Sequence, residues 1–205
     1  MRMAKCGLIT KSMIFCFDMK KLLILLFSIL IASCVDSVDP ERLDFSSDTF
    51  CEKSPKVEVR DGLFYLLNQQ EPYSGENICV YKSNGQYYIQ GVIKKGLRYG
   101  KQTKWYENGQ IGEEGNFIDG KEDGKWTYWY ENGQIMMEAS GINGKEDGKW
   151  TYWYENGQIM MEGNFIDGKT DGKWTVWDEN GQIEGEAIYK NGECISGDCD
   201  YFEDY

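Results

Sequence analysis

The sequence predicts an all-β protein, in which an antiparallel β-meander of repeated 24-residue hairpins forms one twisted or rolled sheet. Three observations support this prediction. Asn-Gly pairs recur every 24 residues, aromatic and β-branched residues fill the segments around them, and the 205-residue chain has 24 glycines but only 3 prolines. Such segments favour strands, and Asn-Gly between them is a strong signal for a tight hairpin turn.

The repeat keeps a constant period. Gln follows each of the five Asn-Gly pairs that keep this period, and the block Gly124–Asp147 is identical to Gly148–Asp171 at 19 of 24 positions. A fixed period of roughly 20–50 residues is the signature of a repeat array. We therefore predict a repeat domain at residues 61–205, with about five units that are degenerate at both ends. The pairs are Asn84-Gly85, Asn108-Gly109, Asn132-Gly133, Asn156-Gly157 and Asn180-Gly181.

The turn type sets the predicted pairing of the strands. A type I′ turn needs φ > 0 at both central positions, which suits Asn-Gly. With Asn132-Gly133 in such a turn, the predicted pairs are Glu131 with Gln134, Tyr130 with Ile135, Trp129 with Met136, and Tyr128 with Met137. The segment Asp119–Gly124 then becomes a turn that joins one hairpin to the next.

Alternation along these strands sorts the side chains onto two faces. The first face is the predicted core; its residues are Trp126, Tyr128, Tyr130, Ile135 and Met137, with Phe117 and Phe165 from other units. The second face is mixed; its residues are Lys125, Thr127, Trp129, Met136 and Glu138. One tryptophan per unit, about 9.6 Å from the next, forms a ladder on the second face: Trp105, Trp129, Trp153 and Trp177. The ladder either binds sugar rings or braces the sheet.

The unit resembles the bacterial variant of the MORN repeat, over about residues 62–200. The matching residues are Gly124, Lys125, Trp126, Trp129, Asn132, Gly133 and Gln134, with equivalents in Gly148–Gln158 and Gly172–Gln182. The unit from Gly100 has Gln102 in place of tryptophan, and the unit from Gly75 keeps only Tyr81, Asn84, Gly85 and Gln86. The resemblance implies a β-meander that acts as an interaction or structural surface. Many bacterial relatives are labelled antitoxins of the YwqK type.

The N-terminus has the pattern of an export signal. Lys20 and Lys21 precede an 11-residue apolar run, Leu22 to Ala32, whereas a membrane-spanning helix needs roughly 20 such residues. The run ends in Ile31-Ala32-Ser33-Cys34, which resembles a bacterial lipobox. The resemblance implies a signal peptide at residues 1–33, with Met19 as an alternative start, and a lipoprotein acylated with palmitate at Cys34. A plain signal peptide with an incidental cysteine is the alternative.

The same resemblance implies a location in the bacterial cell envelope. Val35 rather than Asp follows the acylated cysteine, and we expect sorting to the outer membrane in a double-membrane cell, on its periplasmic or its outer side. The membrane is then contacted through the acyl anchor only, since two or more acyl chains hold a protein stably. Residues 34–60 are predicted to be the lipidated N-terminus and a tether, with an ordered strand or cap as the alternative.

Charge and composition exclude several functions. The chain has a formal net charge of −12, and loss of residues 1–33 leaves 17 basic and 33 acidic residues, a net charge of −16. This acidic balance argues against binding of nucleic acid, which needs a basic surface. The absence of histidine excludes Ser-His-Asp and Cys-His nucleophile systems and imidazole metal sites.

Catalysis and metal binding are not expected. The carboxylates recur with the repeat, as at Glu131 and Glu155, which is typical of a solvated face. In Asp119–Gly124 the third and twelfth positions of an EF-hand loop fall on Lys121 and Tyr130, which are not the required ligands. We therefore predict no enzyme activity, no cofactor and no built metal site, with weak binding of calcium to the acidic surface as an open alternative.

Four of the seven cysteines follow Cys34 and lie outside the regular units, at Cys51, Cys79, Cys194 and Cys199. Export permits disulfides, and four cysteines allow three pairings. Our hypothesis is that Cys194–Cys199 and Cys51–Cys79 staple the two ends of the array. Reduced, buried thiols are the alternative.

These observations predict an exported, lipid-anchored module that binds a protein or an envelope component without catalysis. A glycan or cell-wall binder that uses the tryptophan ladder is one alternative. An antitoxin or immunity-like partner of a toxin is another, and it rests on the family label alone.

Overall fold

The structure, a computed structural model, describes residues 49–50 and 57–203. The described residues form sixteen strands and one short helix. The first eight strands are β1 Thr49–Phe50, β2 Val57–Arg60, β3 Leu63–Leu66, β4 Gly75–Tyr81, β5 Tyr87–Lys94, β6 Leu97–Trp105, β7 Ile111–Ile118 and β8 Lys121–Glu122. The others are β9 Gly124–Trp129, β10 Ile135–Ile142, β11 Lys145–Glu146, β12 Gly148–Trp153, β13 Ile159–Ile166, β14 Lys169–Trp177, β15 Ile183–Lys190, β16 Glu193–Gly197 and helix α1 Cys199–Glu203.

The main sheet is an antiparallel meander, which confirms the predicted fold class. From β4 to β16, leaving aside the two-residue strands β8 and β11, each strand pairs with the next one along the chain, and β1 pairs with the outer side of β4. The two-residue strands β8 and β11 extend the strands that follow them, and they pair with β7 and β10. Strands β2 and β3 form a separate hairpin.

The predicted type I′ turn at Asn132-Gly133 is wrong. Only Gly133 has a positive φ, of 85°. Gly133 N donates to Tyr130 O (2.9 Å) and Tyr130 N donates to Gln134 O (2.8 Å). The loop therefore has three residues, as in hairpins that combine a type I turn with one left-handed residue. The other four Asn-Gly pairs that precede Gln likewise have a positive φ only at glycine, whereas Asn143-Gly144 and Asn191-Gly192, which Gln does not follow, have a positive φ at both residues.

The longer loop changes the strand pairing. Trp129 lies opposite Ile135, a bulge follows at Met136, and Tyr128 lies opposite Met137 as predicted. Cross-strand neighbours share a face, so Ile135 belongs to the second face with Trp129. Met136 lines a hollow with Tyr128, on the first face. The predicted faces of Ile135 and Met136 are therefore both wrong, because a one-residue shift moves a side chain to the other side of the sheet.

Two-residue turns with positive φ at both positions connect the strands at their other ends, away from the Asn-Gly-Gln turns. At Asp119-Gly120 the φ values are 48° and 81°, and Ile118 pairs with Lys121. Within the segment Asp119–Gly124, Asp119 and Gly120 therefore form a tight turn, and Lys121–Glu122 form a strand. Each unit contains two hairpin turns of different type.

The core is the row of aromatic side chains on the first face. Trp126, Trp150, Trp174, Phe117 and Phe165 are all buried. The Phe165 ring centroid lies 5.0 Å from that of Trp150 and 5.1 Å from that of Trp174. Such spacings are typical of favourable aromatic pairs. Trp126, Phe117 and Phe165 therefore lie in the core, as predicted.

Both ends of the array have additions that do not follow the repeat. The β2–β3 hairpin attaches through Phe64, whose N donates to Gly96 O (2.9 Å) and whose O accepts from Tyr73 N (2.8 Å). At the other end the Phe202 ring of α1 lies 6.1 Å from that of Tyr189. Repeat arrays need such caps, because a terminal unit has no further neighbour.

Two strands fall inside the range 34–60, which was predicted to be a tether. Thr49–Phe50 pairs with Val80 and Tyr81, and Val57–Arg60 pairs with Leu63–Leu66. For these residues the alternative of ordered strands describes the chain. Cys34, Cys51 and the predicted signal peptide lie outside the described residues.

Candidate binding surface

The second face carries a stripe of tryptophan and isoleucine side chains, which runs across the strands next to the Asn-Gly-Gln turns. In four successive units a tryptophan lies opposite the isoleucine that follows the next Asn-Gly-Gln. We call these eight residues the tryptophan–isoleucine stripe: Trp105–Ile111, Trp129–Ile135, Trp153–Ile159 and Trp177–Ile183. Each tryptophan of the predicted ladder is thus paired with an isoleucine on the neighbouring strand.

The stripe is open to solvent. The four tryptophans are half-buried, and Ile111, Ile159 and Ile183 are exposed, Ile183 by 59%. Ile135 is half-buried. Contiguous exposed apolar surface on a soluble domain commonly marks a binding site.

Ion pairs lie beside the stripe at the same position in each unit. Lys125 Nζ is 2.5 Å from Glu138 Oε1, and Lys149 Nζ is 2.7 Å from Glu162 Oε2. Lys101–Glu114 and Lys173–Glu186 repeat the arrangement. Exposed pairs of this kind add little stability. They present alternating charges next to the apolar stripe.

Hydrogen bonds between units hold the stripe in place. The Tyr130 hydroxyl donates to Trp153 O (2.7 Å), and the Tyr154 hydroxyl donates to Trp177 O (2.8 Å). Burial, then the nearby carboxylate of Glu155, raises the pKa of Tyr130 to about 12. The hydroxyl therefore stays protonated, and each tryptophan backbone is fixed by the tyrosine of the preceding unit.

The asparagine of each turn extends this network. Asn156 Oδ1 accepts from Gln158 N (2.9 Å), and Asn156 Nδ2 donates to Glu179 O (3.0 Å) in the next unit. Asn84, Asn108 and Asn132 make the same bond to the unit that follows them. These hydrogen bonds therefore join the Asn-Gly turns of successive units into a continuous network beside the stripe.

The family of the array follows from a comparison with family models. The model described as "MORN repeat variant" matches residues 98–119, 122–143, 146–167 and 170–191. Residues 98–191 are four consecutive MORN-variant repeats. As such an array, this part of the chain is a repeat-based protein-binding module.

Other comparisons add no functional information. No curated protein matches the chain. Among solved structures, a chain of "Crystal structure of GtfA/B complex bound to UDP and GlcNAc" is similar at 12% identity with a TM-score of 0.24. The alignment covers 84% of this chain but 37% of that one.

The first MORN-variant repeat borders a shallow depression of about 400 Å³ on the second face. Trp105 and Ile111 of the stripe line it, together with Gln90, Thr103 and Glu114. The Tyr87 ring lies 5.7 Å from the Trp105 ring. The depression offers an aromatic side chain next to hydrogen-bonding groups.

The recurring aspartates of the repeats stabilise turns, because their carboxylates accept hydrogen bonds from the backbone. Asp123 Oδ2 accepts from Asn143 N (3.1 Å), and Asp147 Oδ2 accepts from Asp167 N (3.1 Å). Each carboxylate thus supports the two-residue turn of the next repeat. Within the described residues no group of three potential ligands is placed to hold a metal ion.

The cysteines lie at the two ends of the array. Cys194 and Cys199 form a disulfide with an S–S distance of 1.99 Å, which ties β16 to α1. Cys79 is buried in β4 and is disulfide-bonded. The pairing of Cys79 with Cys51 stays a prediction. In the described part of the chain, no helix is long and apolar enough to cross a membrane.

Sequence reasoning missed the isoleucine half of the stripe. The signal was present, because an isoleucine follows four of the five Asn-Gly-Gln motifs. The assumed two-residue turn assigned these isoleucines to the core.

Proposed function

We propose that this chain is an exported, lipid-anchored and non-catalytic module that binds a partner protein along the tryptophan–isoleucine stripe. The observation that carries the proposal is the recurrence of this solvent-exposed apolar pairing in four consecutive repeats. A protein partner gains most from a continuous row of aromatic anchors with polar groups at its rim. The stripe with its flanking Lys–Glu pairs has this composition.

Two carboxylates with a lowered pKa, Asp167 and Asp171, support a non-catalytic role. A general acid at neutral pH needs a raised carboxyl pKa, which burial without a cation would supply. Here the hydrogen bond from Lys145 lowers the pKa of Asp167, and the hydrogen bond from Lys190 lowers that of Asp171. Both groups of the Lys145–Asp167 pair are exposed, whereas in the Lys190–Asp171 pair the lysine is exposed and the aspartate is half-buried.

The proposed binding surface is tested by cross-linking in the native cells. Trp129→Ala/Trp153→Ala removes two anchors from the middle of the stripe and is expected to abolish partner capture. Ile142→Ala/Ile166→Ala is the matched control, because these exposed residues lie on the same face as the stripe but at the other ends of the strands. Capture that survives in the stripe variant, or that is lost only in the control, would contradict the proposal.

The lipid anchor is tested separately. The wild-type chain is expected to incorporate labelled palmitate and to fractionate with the outer membrane. Cys34→Ala is expected to lose both properties. Membrane fractionation with palmitate labelling in Cys34→Ala would refute acylation at this residue.

Glycan binding is a second candidate, which the depression at Trp105 favours. Aromatic rings stack on sugar rings, and Gln90, Thr103 and Glu114 supply hydrogen-bonding groups around the ring. Quenching of tryptophan fluorescence by envelope glycans, lost in Trp105→Ala, would support it. If capture in the native cells identifies a toxin, this chain acts as the antitoxin-like or immunity-like partner that the family label implies.

A further inference from the structure

A row of large side chains on the first face is interrupted at Gly112. The second residue after each Asn-Gly-Gln is Tyr88, Gly112, Met136, Met160 or Glu184. Tyr88 and Met136 both line a hollow of about 230 Å³, with Gly112 between them in the row. Met160, one repeat further along, is buried. The hollow is therefore a place that a side chain occupies in the neighbouring repeats.

The wall of the hollow is a fixed aromatic ring. A Cβ at Gly112 would lie 3.1 Å from Cε2 of Tyr106, so the glycine backbone faces this ring. The Tyr106 hydroxyl donates to Trp129 O (2.7 Å), which holds the ring in place. The equivalent residues Tyr130 and Tyr154 make the same bond, and their repeats supply a methionine at the position of Gly112. An unbranched apolar side chain against a tyrosine ring is thus the arrangement that the repeat itself uses, and thioether–aromatic contacts are favourable.

One lysine and one carboxylate line the hollow, and the carboxylate of Glu131 lies near its wall. Burial, then the carboxylates of Glu131 and Glu113, raise the pKa of Tyr106. Lys104 Nζ lies 2.9 Å from Glu113 Oε2 and balances that one charge. The chain as a whole carries an excess of carboxylates. A segment with basic residues beside its apolar side chain is complementary to this site.

We propose that the hollow over Gly112 is a docking pocket for one unbranched apolar side chain, methionine above all, carried by a basic segment of a partner protein. This goes beyond the proposed function, because Tyr88, Gly112 and Met136 line the hollow from the first face, and of the stripe residues only Trp105 borders it. It stands whether or not the stripe binds a protein.

The first test uses two blocked synthetic pentapeptides, Lys-Lys-Met-Lys-Lys and Lys-Lys-Ala-Lys-Lys, added to the isotope-labelled full chain. The methionine peptide is expected to shift the resonances of the Gly112 amide and the Met136 methyl group. The alanine peptide is expected to bind at least about tenfold more weakly, because it buries less apolar surface. Equal binding of both peptides, or no shift at Gly112 up to millimolar peptide, would overturn the proposal.

A variant that fills the hollow gives the second test. Gly112→Met gives the first repeat the residue of the next two repeats, and it is expected to weaken binding of the methionine peptide at least about tenfold. Met160→Gly, at the equivalent position two repeats away, is the matched control and is expected to leave the affinity at Gly112 unchanged. Wild-type affinity in a folded Gly112→Met would refute the pocket. If Gly112→Met does not fold, the comparison of the two peptides on the wild-type chain decides.

Trp129→Ala/Trp153→Ala separates the pocket from the stripe. This variant is expected to bind the methionine peptide as the wild type does. Loss of peptide binding in it would show that the peptide uses the stripe, and would overturn the pocket.

Discussion

At the residue scale, one methyl group decides how a core tryptophan lies on the sheet. A Cβ at Gly163 would lie 2.1 Å from Cδ2 of Trp174, so only glycine allows this ring its close approach. Ala139 holds the same place in the preceding repeat, where Trp150 Nε1 donates to Ser140 O (2.9 Å). Trp174 Nε1 has no hydrogen-bond partner among the described residues. The sequence predicts that these tryptophans are in the core, but their orientation depends on a neighbouring strand.

Gly163→Ala is expected to move Trp174 toward the orientation of Trp150. Because the ring must shift within a packed core, the free energy of unfolding is expected to fall by about 1–3 kcal/mol. The Trp174 indole N–H resonance is expected to move to the range of a hydrogen-bonded group. Denaturant unfolding and the indole spectrum measure the two effects.

Ala139→Gly is the matched control for this change. It removes a methyl group without forcing a ring to move, and we expect a loss of about 0.5–1 kcal/mol from the flexibility of glycine. An unchanged stability and an unchanged Trp174 resonance in Gly163→Ala would contradict the role of the missing methyl group.

At the scale of the hairpin, the turn decides which side chains face outward. Asn132 Oδ1 accepts from Gln134 N (2.8 Å), and Asn132 Nδ2 donates to Glu155 O (3.4 Å) in the next repeat. The second bond is a contact between repeats, which a local turn signal does not contain. The bulge at Met136 then restores the predicted pairing of Tyr128 with Met137. This is why the sequence predicts most of the core but misplaces Ile135.

The Tyr130 bond between repeats predicts a loss of stability at high pH. The pKa of Tyr130 is about 12 in the folded chain, above its ordinary value of 10.0, because of burial and the Glu155 carboxylate. The folded state therefore keeps a proton that the unfolded state loses. This contribution is complete below pH 10 and is lost as the pH rises to about 12.

Thermal unfolding across this pH range measures the effect. Tyr130→Phe cannot ionise, so its midpoint is expected to fall less steeply with pH than that of the wild type. Parallel curves for the two proteins would show that Tyr130 does not carry this pH dependence.

The C-terminal cap depends on the disulfide that closes the short segment before α1. Cys194 and Cys199 are five residues apart. Asp198 Oδ2, within that segment, accepts from Glu186 N (3.0 Å) of the last repeat. Cys194→Ser/Cys199→Ser is expected to lower the free energy of unfolding by about 2 kcal/mol, from the loop that the bond closes.

Hydrogen exchange locates the consequence of that change. The amides of β15 and β16 are expected to exchange faster in the double serine variant, whereas those of β9 and β10 keep their rates. Ser196→Ala in the same strand is the control. Uniform rates along the array, with unchanged stability, would argue against a capping role.

At the scale of the whole molecule, the array is built from contacts between successive repeats. The sequence predicts this organisation well, because the Asn-Gly-Gln motifs recur at the period of the repeat. It does not predict the β2–β3 hairpin or α1, since the caps lie outside the period and their form depends on the repeat face that they cover. The ends were predicted as degenerate units, with an ordered strand or cap in residues 34–60 as the alternative to a tether.

Deletion of residues 124–147 tests this organisation. The deletion joins Asp123 to Gly148 and keeps the same kinds of contact, because the removed block matches the next one at 19 of 24 positions. The shortened chain is expected to fold, to unfold cooperatively, and to be less stable by the contribution of one repeat. Circular dichroism in denaturant measures this. A disordered product would contradict an array of nearest-neighbour contacts.

The most direct test of the central claim is a comparison of two photo-crosslinking residues on one strand. Ile159 and Ile166 both lie on the second face of β13 and are both exposed, but only Ile159 belongs to the tryptophan–isoleucine stripe. A photo-reactive amino acid at each position is introduced in turn, and irradiation follows in the native cells. We expect a specific protein adduct from position 159 and none from position 166. Adducts of equal yield from both positions, or from position 166 alone, would contradict a binding surface along the stripe.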